Sequence, residues 1–343
     1  MELVKVVPNR QESSILSPSD GTRQSSSVLE VPSAIETIEH NPFIEANTTQ
    51  VTMEHLKKDC IVPVFKDNEV AISHTEFVET AINAVSAILG NVEITKPQLR
   101  VSHMVKGRTP DALHIPTKEL QDHQKTIYYE RAAWVSKIPS HTKIINGNEV
   151  SLCVGGVKSY STDNLHGKHS VQRFKMFIGY VNRICTNLCI STDGYKDEIK
   201  VMSANELGDK VEQLVSNYDA DYHLNSMERL SQFTLSEKQF GQLIGKAKLY
   251  NYLPKGEKQL LPNLMITDNQ FSTISKDYYN DANFCRNEDG SIDLWNVYNL
   301  FTGSVKSSYI DTFLNRNLNA FQFVNGLADA INGDSNSHRW FLG

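Results

Sequence analysis

Long apolar runs are missing from this sequence, and none approaches the roughly 18–20 residues a membrane helix requires. The opening stretch, MELVKVVPNRQESS, lacks a sustained apolar segment and a small-residue cleavage pattern, which argues against a secretory leader. Cysteine is sparse: Cys60, Cys153, Cys185, Cys189 and Cys285 make an odd set of five. An odd set in a long chain argues against a disulfide framework and fits a reducing cytoplasm. The Cys185/Cys189 spacing has no second ligand pair nearby, so no zinc knuckle is expected. No membrane association, metal or cofactor is expected.

Catalytic signatures are missing too. There is no G-x-S-x-G elbow and no H-E-x-x-H helix. GQLIGKAK at 241–248 has three residues between its glycines and Ala247 after the lysine, so it is not a phosphate loop. It reads as helix, with Gly241 and Gly245 permitting close packing. CRNEDGSIDLWN at 285–296 has Cys285 and Asn296 where a calcium loop needs carboxylates. It reads as a turn, with Asp293 capping the next helix. His166 and His169 lie in a polar stretch without a third ligand. These failures favour a protein that is not an enzyme, although spacing alone does not expose a dyad.

What is present is an uneven charge map. The 343 residues carry a net charge of −6. Residues 96–183 nonetheless hold fourteen Lys and Arg against six Asp and Glu, while 184–240 hold five against ten. A basic block within an acidic chain either marks a surface that meets an anion or faces the acidic segments that follow.

The pattern along the chain is α+β. Residues 1–48, rich in Ser, Thr, Pro, Asn and Glu, read as a disordered arm. A strand at Ile61–Phe65, a turn at 66–68 and a strand at Val70–Ser73 come next. Ser73 and Glu76 then form a capping box for a helix burying Phe77, Ala81, Val85 and Ile88 and ending at Gly90. Period-two alternation around Leu99–Lys106, the run TIYYERAAWVSKI and the Asn146-Gly147 turn predict a mainly antiparallel sheet. FKMFIGYVNRICTNLCIST at 174–192 reads as another long strand, bent at Gly179. Helices follow: one capped by a Ser203/Glu206 box, one over 223–232, one from Ser236 to Leu253, then 268–280, 293–302, 308–316 and 319–332. Strands first and helices second predict a β-rich half over 49–195 and a helical half over 196–343, packed as one unit.

Within the basic block, rings and cations interleave. Lys106, Arg108, Arg131, Lys158, Lys168, Arg173 and Lys175 would neutralise phosphates, and Tyr128, Tyr129 and Trp134 would stack on bases. That arrangement suits single-stranded nucleic acid. The competing reading has the rings packed beneath the helices, and a second functional reading has the acidic surfaces or the arm binding another protein.

Several runs occur in order: DCIVPVFKDNEVAISH, RVSHMVKGRTPDALH, TIYYERAAW, FIGYVNRICTNLCISTDGYK, GQLIGKAKLY and WNVYNLFTGSVKSSYID, with RWF at the end. From about residue 47 onward the chain resembles the domain-of-unknown-function family 3871 of the Bacteroides group. NRICTNLC with LWNVYNLFTG more loosely resembles the broader phage/plasmid-like family. The resemblance implies association with mobile genetic elements, and it carries over no catalytic or ligand residue.

Overall fold

The computed structural model describes residues 41–61, 71–90, 92–112, 114–163 and 171–343. The expected strand at Ile61–Phe65 falls mainly outside them, as do residues 1–40, His166 and His169. The strand expected at Val70–Ser73 is absent from its described part: residues 71–73 are irregular and lead directly into a helix at His74. The expected arm ends sooner than residue 48. Phe43 and Ile44 are buried, and the Phe43 ring lies 6.0 Å from that of Phe313.

The chain is mixed α+β, with an antiparallel sheet in the N-terminal half and helices in the C-terminal half. It runs β1 (Thr49–Val51), α1 (Met53–Lys58), α2 (His74–Ile88), β2 (Gln98–Arg108), β3 (Lys125–Ile145), β4 (Asn148–Ser159), β5 (Gln172–Asn182), β6 (Leu188–Cys189) and β7 (Tyr195–Val201). The second half contains α3 (Ala204–Ser216), α4 (Ala220–Leu230), β8 (Thr234–Leu235), α5 (Glu237–Tyr250), α6 (Lys255–Lys258), α7 (Asp268–Asn280), β9 (Ile292–Asp293), α8 (Leu294–Val305), α9 (Ile310–Asn332) and α10 (Asn336–Leu342). The main sheet has the order β1-β2-β3-β4-β5-β6, with β7 also paired to β5. Asn146 and Gly147 both have positive φ, +46° and +78°, as the two-residue β3–β4 hairpin requires.

Helices cover both faces of the sheet. Adjacent β5 residues show it: the Phe174 ring meets Phe77 of α2 at 4.8 Å, while Lys175 Nζ reaches Asn315 of α9 at 2.7 Å. Successive side chains on a strand point oppositely, so α2 and α9 lie on opposite faces. The approach of α2 depends on Gly156, which pairs in register with Trp134 on one side and Met176 on the other. A Cβ there would sit 2.6 Å from both the Lys175 carbonyl and the Phe77 ring. The vacancy is the socket that Phe77 fills.

The structure corrects four local expectations. Residues 174–192 form no single strand, because Asn182 and Thr186, the latter at φ +58°, turn the chain back into β6. Gly179 does not bend β5; it allows the Cys189 backbone to come close. The helices expected at 308–316 and 319–332 are one, since Asn317 donates to the Phe313 carbonyl at 3.0 Å and nothing breaks the run. Gly241 and Gly245 face open space rather than a packed neighbour. Two smaller departures accompany these. Ile88 is 41% exposed. Glu206 reaches the Met202 N–H at 2.8 Å rather than closing a box with Ser203.

Gly156→Ala is expected to destabilise the fold by about 3 kcal/mol or more, because backbone and ring must both move. A urea midpoint within error of wild type would show that the socket is not needed.

Candidate functional site

A small cleft lies where α1, the start of α2, the start of β3 and the end of β4 meet. Leu56, Cys60, Ser73, His74, Thr75, Tyr128, Tyr129 and Tyr160 line it, and its cavity volume is about 20 Å³. That is room for one or two water molecules.

Local chemistry places each group. Thr52 caps α1 by accepting from the His55 N–H at 3.1 Å. One turn on, the Asp59 carboxylate stands 2.7 Å from His55 Nδ1. A carboxylate only accepts, so this contact puts the proton on Nδ1 and leaves the Nε2 lone pair open. Nε2 faces the Tyr129 hydroxyl at 3.2 Å and Cys60 Sγ at 3.9 Å. Cys60 is held by a bridge to Ile127. Burial first, and then the Asp59 charge, push the Cys60 thiol up to about 11, so at rest it keeps its proton.

His74 is the first residue of α2, and its Nε2 donates to the Tyr129 carbonyl at 2.8 Å, pinning the helix to β3. Burial lowers its pKa to about 4, so the ring is neutral. Its Nδ1 and the Tyr160 hydroxyl are both buried and without a partner. Beneath Tyr160, Lys158 is fully buried. Its Nζ contacts Asp163 at 3.2 Å and Gln172 at 3.1 Å, with the Phe174 ring centroid at 4.0 Å. Burial lowers the Lys158 pKa to about 8, with Asp163 opposing the shift.

The residues expected to bind nucleic acid do not form one surface. Trp134 is buried on the core face, its ring 5.8 Å from Phe77, and cannot stack on a base. Lys158 is inside. Arg131 pairs with Asp311 at 2.8 Å, Arg173 with Glu198 at 2.9 Å and Lys175 with Asp197 at 2.7 Å. Arg108 bonds its own loop through Ile115 and Thr117. Tyr128 and Tyr129 are half-buried at the cleft. Lys106 is exposed with no carboxylate partner among the described residues, and Lys168 lies outside them. Arg131, Arg173 and Lys175 are thus neutralised by α9 and β7, and Lys158 by Asp163, within the fold.

A second run of cations without ion pairs lies close together in sequence further along the chain. Lys246, Lys248, Lys255 and Lys258, at the end of α5 and along α6, form no ion pair among the described residues. Lys246 lies over the Trp340 ring at 4.5 Å and Lys258 over the Tyr250 ring at 4.5 Å. Among them stand Leu249, Tyr252 and Leu260, which are 60%, 77% and 79% exposed. The Tyr252 hydroxyl donates to Asp268 at 2.6 Å, which holds the ring in place while leaving it open to solvent. The sequence shows this patch as KAKLYNYLPKGEK, four lysines against one acid. Its surplus is smaller than that of residues 96–183, so net charge along the chain does not single it out.

Two outcomes follow from the buried groups. Asp163→Ala and Lys158→Met are each expected to cost about 3–5 kcal/mol by stranding the other's buried charge, whereas the double variant with Lys158→Met and Asp163→Leu should cost less than either. A double variant that loses the sum of the two single losses in urea unfolding would contradict the pairing. His223 is also buried, and burial lowers its pKa to about 3. Unfolded histidines bind protons below about pH 6.5 that buried His74 and His223 refuse, so stability falls as pH drops from there toward 4 and 3. The expected loss near pH 4.5 is about 2–3 kcal/mol per histidine. His223→Leu should flatten about half of that slope, and an unchanged slope would assign it to other groups.

No helix among the described residues is long and apolar enough to cross a membrane. No group of three or more metal-binding side chains occurs among them either. No curated protein and no solved structure matches the chain. One family model does, over residues 23–342: the chain belongs to the family described as "Domain of unknown function, B. Theta Gene description (DUF3871)".

Proposed function

We propose that this protein binds single-stranded nucleic acid, and that it does so through the lysine surface of α5 and α6 rather than through the sheet. The observation that carries the reading is the set Lys246, Lys248, Lys255 and Lys258, without carboxylate partners among the described residues and gathered around exposed Tyr252. Unpaired ammonium groups can neutralise phosphates without first breaking an ion pair, and an exposed ring offers a face to any base. The sheet cations start at a disadvantage, since Arg131, Arg173 and Lys175 would have to surrender Asp311, Glu198 and Asp197. A place on a mobile genetic element, as the family resemblance implies, suits this activity.

Fluorescence anisotropy with labelled single-stranded and duplex DNA and RNA tests it. Four phosphate contacts on a single strand predict a loss of affinity of about 50-fold between 50 and 200 mM salt. Lys246→Glu with Lys248→Glu and Lys255→Glu should abolish binding, and Lys106→Glu should not change it. Tyr252→Ala should weaken it by about 1–3 kcal/mol, the worth of one stacked base. No binding at 50 mM salt, or full binding by the triple variant, sinks the proposal.

A further inference from the structure

We infer that Cys60, His55 and Asp59 form a nucleophile, base and orienting carboxylate for acyl transfer from a small activated ester or thioester, an activity independent of the lysine surface. The order of contacts is the argument. Asp59 fixes the His55 tautomer, and the Nε2 it leaves open faces Cys60 Sγ at 3.9 Å. The thiol lines a cleft rather than the core. Two further groups lining that cleft lack partners although each is more than nine-tenths buried: His74 Nδ1 and the Tyr160 hydroxyl. Buried polar groups are normally satisfied, so the pair is built to meet something that enters.

The chemistry balances without a cofactor. The Cys60 proton passes to His55 Nε2 as sulfur attacks the acyl carbon. The Tyr160 hydroxyl donates to the oxygen that gains charge. Collapse breaks the bond to the leaving alcohol or thiol, which takes the proton from His55 and leaves a thioester on Cys60. Water, deprotonated by His55, attacks the thioester carbon; the C–S bond breaks, the acid leaves, and the Cys60 thiolate takes the proton back from His55. The resting thiol is protonated, so attack depends on the imidazole. In the unliganded state the Tyr129 hydroxyl, 3.2 Å from the same nitrogen, holds the base. The cleft's small volume limits the acyl group to two or three heavy atoms.

The test uses the full chain with p-nitrophenyl acetate as the acyl donor and iodoacetamide as a thiol probe. A nitrophenol burst stoichiometric with protein is expected, with an acetyl group located on Cys60 by mass spectrometry. Cys60→Ser should remove the burst, and Cys285→Ser should leave it intact. His55→Gln should slow acylation and alkylation at Cys60 by about 100-fold, within the range for a positioned base. Tyr129→Phe, which frees Nε2, should accelerate both, an effect that a purely structural tyrosine would not give. A burst that survives in Cys60→Ser overturns the assignment. So does alkylation of Cys60 no faster than Cys285, or an unchanged rate in a folded His55→Gln variant.

Discussion

Strands β4 and β5 are buried on both faces, and most of the remaining structure answers to that constraint. A strand with helices above and below has no solvent side on which to leave a polar group, so each one must find its partner inside. Lys158 is the extreme case. Its ammonium is met by Asp163, Gln172 and the Phe174 ring, and those groups in turn fix their neighbours. Asp163 accepts from the Arg173 N–H at 2.8 Å, and Gln172 from the Ile72 N–H at 2.8 Å. One buried cation thereby ties the end of β4, the start of β5 and the residues leading into α2. The same double coverage demands Gly156, because a helix can settle on a strand only where the strand gives it room.

Charge in the sequence and charge on the surface therefore differ. The surplus over 96–183 suggested an exposed basic face. A sheet strand that feeds α2 on one side and α9 on the other spends its cations on nearby carboxylates: Asp311 from α9, Asp197 and Glu198 from β7. Asp197 and Glu198, from the acidic segment that follows the block, are two of those partners. Among the described residues, cations without an ion pair remain both in the block, as at Lys106, Lys118 and Lys143, and on α5 and α6, where α6 buries no residue. Local net charge overstates the exposed basic surface because pairing across the sheet is invisible to a count.

Much of the fold was nonetheless legible. The Ser73/Glu76 and Ser236/Gln239 boxes, the Asn146-Gly147 turn and the Asp293 cap all stand where local chemistry puts them. Each depends on neighbours within a few residues. The misreadings depend on distant ones. Trp134 looked like a stacking ring until Phe77 covered it, and Gly179 like a bend until β6 lay against it. Residues 310–332 looked like two helices because Asn317 and Asn319 sit in the middle. Asn317 instead donates to Phe313 within the helix, and Asn319 donates to the Asn263 carbonyl at 2.9 Å. The cleft was harder still. His55, Asp59 and Cys60 lie within six consecutive residues, but His74 and Tyr160 come from two further segments.

The buried ion pair and the cleft belong to one mechanical unit. An isolated buried pair seldom adds stability over apolar side chains of the same size. Its value here lies in where it holds things. Lys158 is two residues from Tyr160, whose ring rests 4.5 Å from that of His74 and 6.2 Å from that of Tyr128. Gln172 holds the Ile72 amide, two residues before His74, so the cleft floor is anchored from both directions. Rotating Tyr160 or His74 to satisfy their own unpartnered atoms would strain the Lys158 contacts below. The floor therefore holds two buried polar atoms beside the cleft without partners, because the network beneath leaves them nowhere else to turn.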